Sequence, residues 1–263
     1  MASTSVHKGM VIPGLDIAPT MDNLEKSRLA YNALPDDCDQ PNVTDAVLAD
    51  LKGLLQKYNV QEKFGYHLVH GHLQLAPGRV MLGQPMAKLD ACWTRPTNFK
   101  EVALRDVHGH IFVLDSDGEF TPYEYRQGPP AQITANETAF IRAIQSYLVQ
   151  KNLASLIGIE LLGREGTSED MQEFVLSSNH GTVMMNANMT NADKAYRVTG
   201  WSLVPNVDGT AELKGNQQHA ETVKGPHKVF IDGKALPHAN GSATYDIDEE
   251  AVIDALRREQ VIN

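Results

Sequence analysis

Cysteine, aromatic residues, positive charge and long apolar runs are all scarce in this chain, and each shortage narrows what it can be. Its 263 residues include two cysteines, Cys38 and Cys92, too few for the disulfide framework that staples small secreted domains. Aromatics make up 6% of the residues. Lys and Arg number 23 against 33 Asp and Glu, a formal net charge of −10 at pH 7. A surface of that sign repels phosphate, so no nucleic-acid partner and no membrane partner are expected. No apolar run reaches the roughly 20 residues that a membrane-spanning helix needs. The opening stretch MASTSVHKGMVIPGLDIAP lacks an apolar h-region, so the expected setting is cytoplasmic and reducing. Walker, GxGxxG and GxSxG motifs are also missing, which removes the usual sequence signs of nucleotide binding and of serine hydrolysis.

What is present is the composition of a globular protein, 42% hydrophobic and 21% charged, long enough for a sizeable core. Residues 1–20 carry Ser, Thr, Gly and Pro and read as a flexible arm, and residues 21–263 as a single α+β domain. MDNLEKSRLAYNALP predicts a short helix stopped by Pro35. In TDAVLADLKGLLQKYNV, Val47, Leu48, Leu51, Leu54, Leu55 and Tyr58 recur at helical spacing after Thr44, a fitting N-cap. TANETAFIRAIQSYLVQKNL opens on a capping box, Thr134 with Glu137, ahead of an apolar stripe. IDEEAVIDALRREQVI predicts a closing amphipathic helix capped near Asp246 or Asp248.

Between residues 64 and 125 the pattern becomes short β-rich runs punctuated by Gly, Pro and Asp: FGYHLVHGHLQL, RVMLG, CWTRPT, FKEVALRD, GHIFVLD and FTPYEYR. The Asp-Gly of LDSDGEF marks a hairpin. ASLIGIELLG reads as a buried strand, MQEFVLSSN and GTVMMNAN as a hairpin, and AYRVTGWSLVPN as a further strand. Residues 208–244 read as loops and short strands. Strands and helices do not alternate as βαβ units, so the expected fold is α+β, a mainly antiparallel β-sheet or barrel with peripheral helices.

The histidines carry the one sharp chemical signal. VHGHLQL, starting at Val69, has a near-echo in VHGHIFVL, starting at Val107. On a strand, residues i and i+2 share a face, so His70 pairs with His72 and His108 with His110. If the two strands meet, four imidazoles face one cavity, the set expected to ligate a divalent transition metal, Zn or Fe. Without a metal, His70 and His108 are candidate acid–base catalysts with Tyr123 and Glu124 nearby. A two- or four-residue Asp-Gly turn places His110 opposite Tyr125 or Tyr123, and Glu124 on the other face unless a bulge shifts the phase. His67 is expected to pack away from His70 and His72.

Weaker candidates have plain alternatives beside them. Cys92 is a possible nucleophile or simple packing. Asp115-Ser-Asp117-Gly118 starts like a calcium loop, and a hairpin turn explains it fully. His180 is a candidate to approach the site from a second layer, with a turn residue as the plain alternative, and His219, His227 and His238 read as solvated. Glu160, alone in an apolar run, reads first as facing water at a strand edge, with a buried general base as the alternative. The HxH pattern has a loose likeness to a cupin, but LQLAPGRVMLG has no Glu at the place of the cupin carboxylate, and no ligand is carried over.

FGYHLVHGHLQLAPGRVMLG, GHIFVLDSDGEFTPYEYRQGPP and FIRAIQSYLVQKNLASLIGIELL together resemble an uncharacterised family of fungal proteins, over about residues 45–165. That resemblance implies no particular activity and points to small-molecule biosynthesis. The expectation is a small-molecule enzyme with a histidine-lined pocket, with a non-catalytic binding or interaction protein as the alternative.

Overall fold

The computed structural model describes residues 11–163, 169–192, 195–222, 225–226, 228–229 and 247–263. Ten strands close into a β-barrel. In chain order they are β1 Phe64–Leu68, β2 Arg79–Pro85, β3 Ala91–Asn98, β4 Val107–Leu114 and β5 Phe120–Gln127, then β6 Ile157–Leu161, β7 Met171–Leu176, β8 Gly181–Asn186, β9 Ala195–Pro205 and β10 Ala211–Thr222. Around the ring the order is β10-β9-β1-β6-β4-β5-β2-β3-β8-β7. A parallel pairing of β7 with β10, through Gln217↔Met171 and His219↔Glu173, closes it. β2 and β5 are also parallel. The other contacts around the ring are antiparallel, as expected.

Four helices stand outside the ring: α1 Met21–Asn32, α2 Asp45–Tyr58, α3 Ala135–Lys151 and α4 Glu249–Arg258. Their ends follow the local chemistry. Thr44, Thr134 and Asp248 accept from backbone N–H groups that the first turn leaves without intrahelical partners. Asn59 and Asn152 stop α2 and α3 in the left-handed conformation.

The helices decide which strand face is core and which is lumen. Leu51 and Leu55 of α2, with Phe140, Ile144 and Leu148 of α3, pack on Phe64, Tyr66 and Leu68 of β1 and on Ile157, Ile159 and Leu161 of β6. Alternation along a strand then turns His67 and Glu160 inward. Val252, Ile253 and Leu256 of α4 cover Phe174, Val183 and Met185, which turns Glu173 inward. Each such fully buried apolar side chain contributes about 1.5–3 kcal/mol, so burying the outer face of the wall is what holds the polar inner face in place.

Some expectations need correction. Residues 11–20, expected in a loose arm, are docked: Ile12 and Leu15 are buried, Gly109 N donates to Gly14 O and Ala131 N to Leu15 O. FKEVALRD is a 3-10 turn at Phe99–Glu101 followed by irregular chain, not a strand. Residues 211–222, expected in a loop-rich stretch, form the long strand β10. The Asp-Gly hairpin between β4 and β5 leaves residues 115–119 as its loop, since Leu114 pairs with Phe120. Asp115 anchors that loop by accepting from Asp117 N, Glu119 N and Thr121 Oγ1, and Lys26 neutralises it. Among the described residues no helix is long and apolar enough to cross a membrane.

A candidate metal centre inside the barrel

β1 ends at Leu68, two residues before the first His-Gly-His. Beyond it Val69 N donates to Leu156 O and Gly71 N to Pro35 O, so His70 and His72 sit on a loop tied to neighbouring segments rather than on a strand. β7 and β10 supply the other two members. Glu173 faces inward from β7, and His219 sits opposite it in the parallel ladder. One donor atom from each of His70, His72, Glu173 and His219 lies within 4.8 Å of all the others.

Glu173 Oε2 is the focus. His219 Nε2 lies 2.9 Å from it, His72 Nε2 3.7 Å and His70 Nε2 3.8 Å. The His70 ring meets the His72 and His219 rings near edge-on at 4.8 and 5.0 Å. The tautomers follow from the outer partners. His70 Nδ1 donates to Leu68 O at 2.7 Å, which leaves the lone pair of Nε2 turned to the cluster. His219 Nδ1 donates to Asp37 Oδ2 at 3.0 Å, and Tyr196 Oη donates to the same oxygen at 2.8 Å. A carboxylate behind an imidazole in this way fixes its orientation and raises its basicity toward a metal.

The electrostatics tie the four groups together. Burial alone would raise the Glu173 carboxyl, but the imidazoles of His219, His70 and His72 hold it well below the usual carboxylate range. Burial would lower His219, yet Asp37 and Glu173 raise it to about 9. Burial lowers His70, helped by the charges of His72 and His219 and opposed by Glu173. Imidazole nitrogen and carboxylate oxygen bind transition metals at about 2.0–2.2 Å. The four donor atoms, within 4.8 Å of one another, would have to shift to share one ion, which would take the place of the His219 Nε2 proton.

Proton-carrying groups border the cluster. The His67 ring stacks on His70 at 5.1 Å, and its Nδ1 lies 3.2 Å from Tyr123 Oη. This corrects the expectation that His67 packs elsewhere: the chain leaves the strand after Leu68, so strand alternation no longer separates His67 from His70. Tyr31 Oη accepts from His72 N at 3.4 Å. Burial pushes the Glu124 carboxyl up to about 8, with the Glu173 and Glu160 charges adding to it.

His108 and His110 are not part of this group. β6 lies between β1 and β4, and a bulge between Gly109 and Ile111 leaves His110 without a register partner on β5. His110 turns instead into a lumen of about 1120 Å³, which His108, Arg126, Glu160 and Gln217 also line. Of the expected ligands, His70 and His72 meet the cluster. Of the expected catalytic residues, His70 belongs to the cluster, Tyr123 and Glu124 border it, and His108 stands in the lumen wall with Nδ1 3.0 Å from Gly128 O.

Two further expectations are overturned. His219, read as solvated, is 0% exposed, and Glu160, read as facing water at an edge, is 3% exposed. Both errors come from missing the barrel, whose closure buries one face of every strand. Glu173 and His219 escaped notice because a lone acid in MQEFVL and a lone histidine in NQQHAET have no local mark of a shared site. His180 is a turn residue, as in its plain alternative, with Nδ1 2.7 Å from Ser177 O, and Cys92 is buried. His227 and His238 lie outside the described residues.

Fold and site together define a closed β-barrel whose interior holds a buried three-histidine, one-carboxylate cluster that could bind a metal ion. Comparison with protein-family models, with curated proteins and with solved structures found no match.

Proposed function

We propose that this chain is a metal-dependent enzyme acting on a small molecule, with His70, His72, His219 and Glu173 holding one divalent transition metal ion such as Zn or Fe. The observation that carries the reading is the convergence of three imidazole Nε2 atoms on one carboxylate oxygen, with two of the rings anchored through Nδ1. A bound ion of this kind polarises a substrate oxygen or lowers the pKa of a water. Asp37 and Leu68 O hold His219 and His70 in the ligating tautomer. Glu124, which keeps its proton up to about pH 8, and the Tyr123–His67 pair are the groups placed to move a proton beside the cluster.

A second reading has its own observation. His219 lies between two carboxylates, 3.0 Å from Asp37 and 2.9 Å from Glu173. An imidazolium satisfied on both sides is complete without an ion, and the chain would then be a non-catalytic binding or interaction protein with structural histidines. Elemental analysis of untagged protein, with Zn²⁺ and Fe²⁺ titrations of chelator-treated protein, decides between them. The metal reading expects about one equivalent per chain and its loss in His72→Ala, the most accessible of the four. Protein that carries no ion and takes up neither metal refutes it.

A further inference from the structure

The lumen wall carries an acceptor that the metal reading does not use. The lumen's lining includes none of the four cluster residues, and two of its polar groups are already closed to a ligand. His110 Nδ1 donates to Leu161 O at 3.0 Å, and its Nε2 accepts from Arg126 Nη2 at 3.1 Å. Glu160 Oε1 accepts from Gln217 Nε2 at 2.7 Å, and Oε2 is sealed within the wall.

His108 differs from both. Its Nδ1 lies 3.0 Å from Gly128 O, and a carbonyl only accepts, so Nδ1 carries the proton. Gly128 is itself held: its N donates to Asp106 O at 3.0 Å, and its φ of +116° is a backbone conformation that suits glycine. The backbone therefore fixes the ring, and in the neutral imidazole Nε2 is left as the acceptor. No group among the described residues hydrogen-bonds this Nε2, and it is not enclosed as the Glu160 oxygen is. The ring is half-buried and lines the lumen.

The strand order says what lies across from it. In the ring of ten, β4, which carries His108, and β7 stand on opposite sides. β7 supplies Met171, and the adjoining β8 and β3 supply Met184 and Cys92, which are register partners. All three line the lumen, and none belongs to the apolar clusters beneath the helices. One wall offers a fixed acceptor, and the facing wall offers polarisable sulfur groups that adapt to an apolar shape. Charge narrows the choice further. Arg126 is the register partner of His108 on β5 and opposes a cationic head group. Glu62, Asp90 and Glu169 are exposed around the same lumen and oppose an anion.

We propose that His108 Nε2 anchors a ligand site in the lumen, one that takes a small uncharged molecule whose hydroxyl or N–H donates to the imidazole and whose apolar body lies toward Met171, Met184 and Cys92. A lumen of about 1120 Å³ has room for roughly two or three fused rings. The site needs no ion and so goes beyond the metal reading.

The test uses four probes of one shape on the full chain: 2-naphthol, which can donate; 2-methoxynaphthalene, which can only accept; 2-naphthoate, which is anionic; and 2-naphthylmethylamine, which is cationic. Isothermal titration is expected to show one saturable site for 2-naphthol, at least tenfold tighter than any of the other three. In long-range ¹H–¹⁵N spectra 2-naphthol should move the His108 Nε2 resonance in the direction of an accepted hydrogen bond, and 2-methoxynaphthalene should not. His108→Phe, which keeps a flat ring and removes the acceptor, should erase the preference for 2-naphthol, and Met184→Trp should block all four probes. For the unmodified protein, equal or reversed affinities for the first two probes, tightest binding of a charged one, no saturable binding, or a His108 resonance that stays put while 2-naphthol binds would each overturn the proposal without recourse to any variant. Chelator-treated and untreated protein should give the same order, so the outcome is independent of the metal reading.

Discussion

Replacing Glu160 by Gln measures how strongly the barrel interior opposes charge. Glu160 is 3% exposed, and burial raises its carboxyl from 4.5 to about 7, against the pull of Gln217 and Arg126. An unfolded chain releases this proton near 4.5 and the native protein only near 7. Between those values the native state binds more protons, so stability is lost as pH rises through the window and is constant above it. A gap of about 2.5 units at about 1.4 kcal/mol per unit corresponds to about 3 kcal/mol. That is an upper limit, because Glu124 titrates in the same interior and shares the charge. Gln keeps the carbonyl that Gln217 donates to and cannot ionise, so this dependence disappears. Any cost of placing an amide N–H at the Oε2 position is the same at every pH and cancels when two pH values are compared. Urea denaturation of parent and variant near pH 4.5 and near pH 8 gives the four stabilities required. Relative to the parent, the variant should gain up to about 3 kcal/mol between the two conditions, roughly 6–12 °C in Tm for a domain of this size. If the two stability curves run parallel across that range, Glu160 is not the buried, proton-holding group described here.

Two more substitutions test the metal centre and the barrel wall. Asp37→Asn removes the anionic acceptor behind His219 Nδ1 and should weaken metal binding about 10–100-fold in competition with a chromogenic chelator; unchanged affinity would remove Asp37 from the site. Gly181 has φ +94°, and an added Cβ would overlap the Thr94 carbonyl of the paired strand. Gly181→Ala should therefore destabilise by about 3 kcal/mol or more in thermal unfolding, and a variant as stable as the parent would contradict the β7–β8 turn and its packing on β3.

The helices were legible because their signals lie within a few residues of each other. Thr44 and Thr134 each accept from the backbone N–H three residues on, and Asp248 does the same for Ala251, so the caps and apolar stripes could be read directly. β10 was not, because Gly215, Asn216, Gln217 and Gln218 hide its alternation, and register shifts at 215/217, 217/218 and 219/220 break it. Half of the metal cluster was visible in the first His-Gly-His. Its assignment to a strand was wrong, however, because pairing with β6 stops at Leu68↔Ile157, a boundary that the repeat itself does not mark. The second His-Gly-His misled for a related reason: its bulge sends His110 to the lumen.

Taken alone, the order of residues determined four helices, three of them with readable caps, a mainly antiparallel β architecture and a concentration of imidazoles near residue 70. Closure of the ring decided the rest. The parallel pairing of β7 with β10 put Glu173 beside His219, and the strand between β1 and β4 kept the second His-Gly-His out of the four-residue cluster. Capping and periodicity act through contacts a turn or two apart, whereas which strand edges meet depends on burying one face of every strand at once, and no short stretch of chain records that outcome.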